Sequence, residues 1–236
     1  MASTQSLAVR STWPPMARVA LLVALLMIVT TWPVDAASAK VVRSGPRASG
    51  AVALTFDDGW GGAACESIAR TLRRANVKGT FFINGIHLKA QPARWRKILK
   101  GMPVGNHTHS HPFLTRVSSD TVRRQIKWNE RVHERVLGRN MAKVFRPPYG
   151  AYDSRVLRIA GRLGYRRTVL WNVSAADTSA AATRASIIRR ATGARPGSII
   201  LMHCARDVTA QALPSIIRHY KRRGIKMVGL PKLLGL

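Results

Sequence analysis

The chain carries, at residues 51–59, the run AVALTFDDG, in which six residues suited to a buried strand precede two adjacent carboxylates and a glycine. The whole sequence has only 10 Asp and Glu among 236 residues, so a carboxylate pair where a strand opens into a loop needs an explanation. Adjacent residues point in different directions from a strand end, so one carboxylate could bind a metal while the other handles a proton. An exposed Asp-Asp-Gly turn with no chemical role is the alternative.

Outward from this run, apolar segments alternate with segments of helical periodicity. Further strands are predicted at residues 79–83, 104–107, 144–146, 168–171, 198–202 and 227–230. Helices are predicted at residues 63–75, 92–99, 121–137, 154–163, 185–191 and 210–222. This alternation predicts a single-domain α/β fold with a parallel sheet, open or barrel-like. In such folds the reactive side chains collect at the carboxyl ends of the strands.

Three of the seven histidines lie within the run His107-Thr108-His109-Ser110-His111. Histidines four residues apart can face the same way on a helical turn, and this spacing is common among zinc ligands. His109 would then point elsewhere. With a nearby aspartate, His107 and His111 would form a His₂Asp set that leaves positions open for water and substrate. A polar loop that happens to be rich in histidine is the alternative.

Two more strand ends carry candidate side chains. Residues 146–150 read RPPYG, and the two prolines predict a stiff loop that fixes the direction of the Tyr149 N–H. An ordinary surface turn would have the same composition. His203 follows the apolar run at 198–202, where a buried histidine with purely structural hydrogen bonds is the alternative.

Taken together, four segments resemble the polysaccharide deacetylase family, the NodB-type homology domain of carbohydrate esterase family 4. They are TFDDG at Thr55–Gly59, NHTHSH at Asn106–His111, FRPPYG at Phe145–Gly150 and the L-x-H of Leu201–His203. The resemblance spans about residues 50–230 and implies a distorted (β/α) barrel of about seven parallel strands. It also implies a divalent metal, usually zinc with cobalt or nickel also compatible, and an acetylated polysaccharide as substrate.

The resemblance further implies a role for each residue of the metal side of the site. Asp58, His107 and His111 would be the metal ligands. Asp57 would be the general base that deprotonates a metal-bound water, and Arg146 would orient Asp57. Metal ligation and general base catalysis are thereby divided between the two adjacent carboxylates.

On the leaving-group side, the resemblance implies that His203 is the general acid and that Asp177 pairs with it. The Tyr149 backbone N–H would stabilise the oxyanion. Leu201 and Trp171 would line the pocket for the acetyl methyl group. An acid is needed because an amine does not leave as an anion.

Some residues depart from the family pattern. Trp60 stands where the family usually has proline, and its indole could stack on a sugar ring. Thr178 replaces the usual tryptophan after Asp177. These departures concern contacts with the substrate more than the metal site.

Cys65 and Cys204 are the two cysteines of the chain. Their spacing alone does not distinguish a disulfide from two buried thiols. Since the resemblance brings the loop after residue 57 close to the loop after His203, it adds the hypothesis that a disulfide joins them.

The N-terminus has the pattern of a targeting segment. Arg10 and Arg18 precede an apolar run at 19–32, and small residues follow at Ala36 and Ala39. This pattern predicts an export signal, cleaved or retained as an anchor, and hence a secreted, periplasmic or envelope-associated protein. The predicted organisation is a signal at 1–39, a basic linker at 40–50 and a catalytic domain at 51–236.

The formal net charge is +29, from 39 Lys and Arg against 10 Asp and Glu. Such a charge predicts attraction to a polyanion. The chain has no helix-turn-helix, zinc-finger or RNA-recognition pattern, so nucleic acid is not expected as the primary partner. On an exported monomer the charge favours contact with an anionic envelope or cell wall.

The leading functional hypothesis is therefore a metal-dependent hydrolase that removes N-acetyl groups from polysaccharides containing N-acetylglucosamine, such as peptidoglycan, chitin-like polymers or exopolysaccharide. Cleavage of O-acetyl esters on xylan or a similar glycan is the first alternative. A catalytically silent module that binds the cell wall is the second.

Overall fold

The computed structural model describes residues 38–60 and 62–236. The predicted export signal, apart from its last two positions, therefore lies outside the described residues. Among the helices that are described, none is long and apolar enough to cross a bilayer. The described residues belong to one compact unit.

The centre of the molecule is a parallel β-sheet that curls into a distorted half-barrel. Its strands are β1 (Lys40–Val42), β2 (Ala51–Asp57), β3 (Thr80–Ile83), β4 (Val104–Asn106), β5 (Val144–Phe145), β6 (Arg167–Val169), β7 (Val173–Ser174), β8 (Ile199–His203) and β9 (Lys226–Met227). The strand order is β1-β6-β5-β4-β3-β2-β8-β7, and β9 pairs with the start of β2. The predicted single-domain α/β fold is confirmed.

Helices connect the strands and cover the sheet. They are α1 (Gly62–Arg74), α2 (Gly85–Ala90), α3 (Pro92–Ile98), α4 (Ser119–Leu137), α5 (Ser154–Arg162), α6 (Arg184–Thr192), α7 (Asp207–Arg222) and α8 (Leu230–Leu233). Side-chain caps fix three of the starts: Ser118 accepts a hydrogen bond from the Thr121 N–H, Asp153 accepts one from the Val156 N–H, and Thr183 accepts one from the Ser186 N–H. Gly138 ends α4 in the left-handed conformation, with φ 63°.

Two sequence predictions were wrong in part. The segment 40–50, predicted as a basic linker, begins with strand β1, which pairs in parallel with β6. The adjacent Val41 and Val42 are the apolar pair that this strand contributes to the sheet. The strand predicted at 227–230 ends at Met227, because Pro231 lies in the first turn of a new helix and favours that start.

Strand β2 is the middle of the structure, and all seven of its residues are buried. It pairs with β3 on one side and with β8 on the other, in a register that places Asp57 beside Phe82 and His203. Since parallel strands share one direction, the side chains that follow β2, β4, β5 and β8 meet at one end of the sheet.

Candidate active site

The end of the sheet collects carboxylates and imidazoles from separate strands. Asp58 follows β2, and His107 and His111 follow β4. Asp58 Oδ1 lies 3.5 Å from His107 Nε2 and 3.3 Å from His111 Nε2. One ligand atom from each residue lies within 4.8 Å of the others, which is close enough for a single cation to contact all three.

The chemistry of these donors fits a divalent cation. Asp58 Oδ1 is buried and has no hydrogen-bond partner among the described residues, an arrangement that is costly unless the atom has a ligand. Burial opposes ionisation of Asp58, but its electrostatic interactions with the imidazoles of His107, His203 and His111 prevail and lower its pKa. The site therefore offers an ionised oxygen with free electron pairs.

Both histidines can present Nε2 to a metal. His107 Nδ1 lies 2.7 Å from the Arg146 carbonyl oxygen, and since a carbonyl only accepts, Nδ1 donates to it and Nε2 faces Asp58. Burial, with a smaller contribution from His107, lowers the pKa of His111 to about 4, so this ring is neutral at pH 7. Neutral imidazoles and an ionised carboxylate are what a His₂Asp site requires.

The path between the two histidines differs from the helical turn predicted from their spacing. Residues 107–111 form an irregular loop in which Thr108 and His111 have φ of 66° and 63°. The Asn84 side-chain amide donates to the His107 carbonyl at 2.8 Å, and the His111 N–H donates to Thr108 Oγ1 at 3.2 Å. Two left-handed residues, rather than a helical turn, bring the rings together.

Asp57 is held by a buried cation. Arg146 Nη1 donates to Asp57 Oδ1 at 2.6 Å and to Thr55 Oγ1 at 2.9 Å. The rest of the guanidinium donates to the Val169 and Leu170 carbonyls, each at 3.2 Å. Asp57 Oδ2 is left facing His107, with the Oδ2–Nε2 distance at 3.8 Å. The carboxylate therefore has one oxygen fixed by Arg146 and the other directed to the cluster of Asp58, His107 and His111.

His203 and Asp177 form a second pair. Asp177 Oδ1 lies 2.9 Å from His203 Nδ1, and its Oδ2 accepts from the His203 N–H at 2.7 Å and from Thr209 Oγ1 at 2.6 Å. Burial alone would lower the pKa of His203, but the hydrogen bond to Asp177 and the nearby carboxylates outweigh it and raise that pKa. The arrangement favours a protonated imidazole beside Asp57.

Two residues that form hydrogen bonds with these pairs, Thr55 and Thr209, were not predicted as site residues. Thr55 lies two residues before Asp57 on the same strand face, so strand periodicity could have found it. Thr209 lies on α7, and no spacing pattern connects it with Asp177. Its role becomes visible only when the fold brings the two segments together.

The remaining predicted site residues line the surroundings. Tyr149 has φ 60°, and its exposed ring stacks on Phe113 and meets His111 edge-on. Trp171 lies so close to Gly150 that a Cβ there would be 3.0 Å from the indole, while Leu201 is buried on β8.

Trp60 lies apart from this group. Its ring centroid is 4.9 Å from that of His87, and 56% of the side chain is exposed. It lines a cavity of about 570 Å³ that also includes His87, Arg94 and Asp207.

Cys65 and Cys204 are joined by a disulfide with a Cα–Cα distance of 4.5 Å. Both residues are fully buried. The Cys204 N–H also donates to the Asp57 carbonyl at 3.0 Å. The bridge therefore links α1 to the segment that carries His203.

A parallel half-barrel with a His₂Asp cluster, an Arg-held carboxylate and an Asp-held histidine defines the class of metal-dependent hydrolases. Within that class the chain belongs to the polysaccharide deacetylase family, whose family model matches residues 44–168. The resemblance expected from the four motifs is confirmed.

Relatives named as deacetylases support this assignment. The chain is 34% identical to a peptidoglycan-N-acetylglucosamine deacetylase of Bacillus cereus, over 80% of this chain and 70% of the relative. It is 32% identical to a chitooligosaccharide deacetylase of Azorhizobium caulinodans, over 75% of this chain and 91% of the relative.

Solved structures agree as well. A peptidoglycan N-acetylglucosamine deacetylase matches with a TM-score of 0.78 and 33% identity, over 83% of this chain and 92% of that one. A CE4 family pseudoenzyme from Bacillus anthracis matches with a TM-score of 0.77 and 28% identity, over 84% of this chain and 69% of that one. A mutant of that pseudoenzyme with restored activity matches with a TM-score of 0.77 and 30% identity, over 84% and 72% of the two chains.

Proposed function

We propose that the protein removes N-acetyl groups from a polysaccharide containing N-acetylglucosamine, by metal-dependent hydrolysis of the amide. The observation that carries the proposal is the presence of two complementary pairs beside the Asp58 cluster. Asp57 with Arg146 provides a base, and His203 with Asp177 provides an acid. Paired groups with opposite proton affinities are what hydrolysis of an amide requires.

Asp58, His107 and His111 would hold the metal. We propose zinc, because two neutral imidazoles and one carboxylate suit it, and the same set also accepts cobalt or nickel. A bound divalent cation would lower the pKa of water toward about 7 and polarise the acetyl carbonyl.

The protein's own groups would then move the protons. Asp57 accepts a proton from the attacking water, while Arg146 keeps the carboxylate in place. The Tyr149 N–H donates to the oxyanion that forms on the carbonyl oxygen when water attacks the carbonyl carbon. His203 gives its proton to the amide nitrogen as the C–N bond breaks, so that a neutral amine and acetic acid form, and the acid then ionises to acetate.

Three side chains would contact the substrate. Leu201 and Trp171 would enclose the acetyl methyl group, since both contribute apolar surface beside the reacting groups. Trp60 would offer its exposed indole to a sugar ring, a common use of aromatic side chains.

The chemistry of His203 favours amide cleavage over the alternative, cleavage of O-acetyl esters. An amine leaves only after protonation, whereas an alkoxide needs less help from an acid, and Asp177 raises the pKa of His203. A silent wall-binding module has a precedent in the B. anthracis pseudoenzyme. In this chain, however, the residues proposed as base, acid and metal ligands all lie at one end of the sheet.

We also propose that residues 1–39 direct export and that a monomer works at an anionic envelope or wall. A disulfide in the described region supports export, because such bonds persist in oxidising compartments. The catalytic domain would then begin near β1 rather than at residue 51. N-terminal sequencing of the exported protein would locate the cleavage site, or reveal a retained anchor.

The decisive test is acetate release from a panel of glycans by the mature protein, with and without a chelator. Peptidoglycan, chitin oligomers, an acetylated exopolysaccharide and acetylated xylan should be compared. The proposal expects release from one or more of the N-acetylated polymers, loss with chelator, and recovery with Zn²⁺. Release from xylan alone would establish the esterase, and no release from any glycan would leave only a binding module.

A further inference from the structure

Helix α4 carries a groove of about 350 Å³ on its exposed side, which we call the basic groove. It is lined by Arg123, Arg124, Lys127, Trp128 and Arg131. All five side chains are exposed, and the four charged ones are all cationic. The groove thus concentrates positive charge around one aromatic ring.

Three of these cations have no carboxylate partner in the part of the chain that the structure describes. Arg123 is paired with Asp120. Arg124 donates to the Thr121 hydroxyl at 2.8 Å, which does not offset its charge. Like charges one turn apart destabilise a helix, so Arg124, Lys127 and Arg131 repel one another unless an anion lies between them.

Trp128 connects the basic groove to the loop at residues 107–111, which carries the proposed metal ligands His107 and His111. Its ring is 47% exposed and stacks on His109, with centroids 3.8 Å apart and planes 10° apart. His109 lies between the ligands His107 and His111. A glycan that packs a sugar ring on Trp128 would therefore lie next to the loop that forms the metal cluster.

We propose that the basic groove binds carboxylates of the substrate polymer, so that the protein prefers a glycan strand bearing acidic peptides over a neutral one. Guanidinium groups bind carboxylates in a two-pronged geometry, and indole rings pack on the apolar faces of sugars. The groove joins both features beside the site. This inference rests on the proposed function and specifies the substrate class of the same site.

The test variant is Arg124→Gln/Lys127→Gln/Arg131→Gln, which removes three charges and keeps the helix, since glutamine is a good helix former. Its kinetics are measured on glycan strands that carry stem peptides and on neutral N-acetylglucosamine oligomers. On the acidic strands KM should rise about tenfold at low salt with kcat unchanged. On the neutral oligomers both constants should stay within about twofold, and high salt should erase the difference.

A matched control is Arg218→Gln/Arg222→Gln/Arg223→Gln, which removes the same charge at the end of α7. If the control raises KM as much, net charge and not the groove is responsible, and the proposal is overturned. An unchanged KM of the groove variant on acidic strands, or an equal rise on neutral ones, would also overturn it.

Sedimentation with insoluble peptidoglycan separates this proposal from the deacetylase assignment. The groove variant and the control are both made in an Asp57→Asn background, so that binding is measured without turnover. The groove variant should then bind several-fold more weakly than the control. That result stands even if the wild-type protein releases no acetate. If binding instead disappears when phosphodiester polymers are stripped from the wall, the groove recognises phosphate and the proposal fails.

Discussion

The carboxylate of Asp57 depends on the buried guanidinium of Arg146, which touches one of its oxygens and leaves the other free to act. In Asp57→Asn an amide oxygen can still accept from Arg146, but the basic group is lost. We expect acetate release to fall by about 10²–10⁴. Stability should fall by about 1–3 kcal/mol, because the buried cation loses its counter-charge.

The matched control is Asp58→Asn, which should abolish metal binding rather than proton transfer. Equilibrium dialysis with Zn²⁺ and thermal unfolding distinguish the two variants. Wild-type turnover by the Asp57→Asn variant would rule out Asp57 as the base.

The proton affinity of His203 should set the alkaline limit of activity. Burial alone would lower its pKa, but the hydrogen bond to Asp177 and the carboxylates of Asp57 and Asp58 raise it. The acid form, and hence kcat, should fall as pH rises through this raised value. In Asp177→Asn the alkaline limb of the pH profile should move to lower pH, because the strongest raising interaction is lost.

The raised pKa of His203 also predicts how the stability of the fold depends on pH. A raised folded pKa means that His203 contributes stability fully below about pH 6.5 and loses it as pH rises through the folded value. Thr209→Val, which removes one hydrogen bond to Asp177, should move the kinetic limb in the same direction but less. Identical alkaline limbs in all three proteins would remove His203 from the role of acid.

At the scale of elements, α4 supports the loop at residues 107–111. Gln125 Oε1 accepts from the His109 and Ser110 N–H groups at 3.0 and 2.9 Å, and its Nε2 donates to Ser110 Oγ at 2.8 Å. Gln125→Ala removes all three bonds from a loop with two left-handed residues. Metal affinity should fall about tenfold, the lower end of the range for residues that position ligands.

Gln125→Glu is the rescue variant, because a carboxylate can accept from both N–H groups. Chelator competition measures the dissociation constant of the metal in each protein. If Gln125→Ala binds Zn²⁺ as tightly as the wild type, the loop is fixed by its own backbone and α4 contributes nothing to the site.

The elements also show what the sequence can predict. The motifs at the ends of β2, β4, β5 and β8 were found because a parallel sheet brings its carboxyl ends together whatever the loops do. Gln125 and Thr209 could not be predicted, since each reaches its partner from a helix and no spacing pattern connects it with that partner. Strand β1 could not be predicted either, because it lies in a basic segment and only its pairing with β6 distinguishes it from a linker.

At the scale of the whole molecule, the Cys65–Cys204 disulfide joins two residues that are 139 positions apart in the sequence. It joins α1 to the segment carrying His203, whose neighbour Cys204 also bonds to the backbone of Asp57. A crosslink over so long a loop restricts the unfolded chain strongly, and loss of a native disulfide typically costs about 2–5 kcal/mol. We therefore expect Cys65→Ala/Cys204→Ala to unfold at markedly lower urea concentration.

The double variant should also lose activity before it unfolds, because the segment that carries His203 then loses its covalent link to α1. A several-fold lower kcat at temperatures where the fold is intact is the expected result, and reduction of the wild-type protein should reproduce it. Reduction should leave the activity of the alanine variant unchanged, so that variant controls for other effects of the reductant. The protein can be collected from the oxidising compartment, denatured without reductant and assayed for thiols; two reactive thiols would contradict the bridge. Unchanged stability of the double variant would show that the disulfide does not contribute to the stability of the fold.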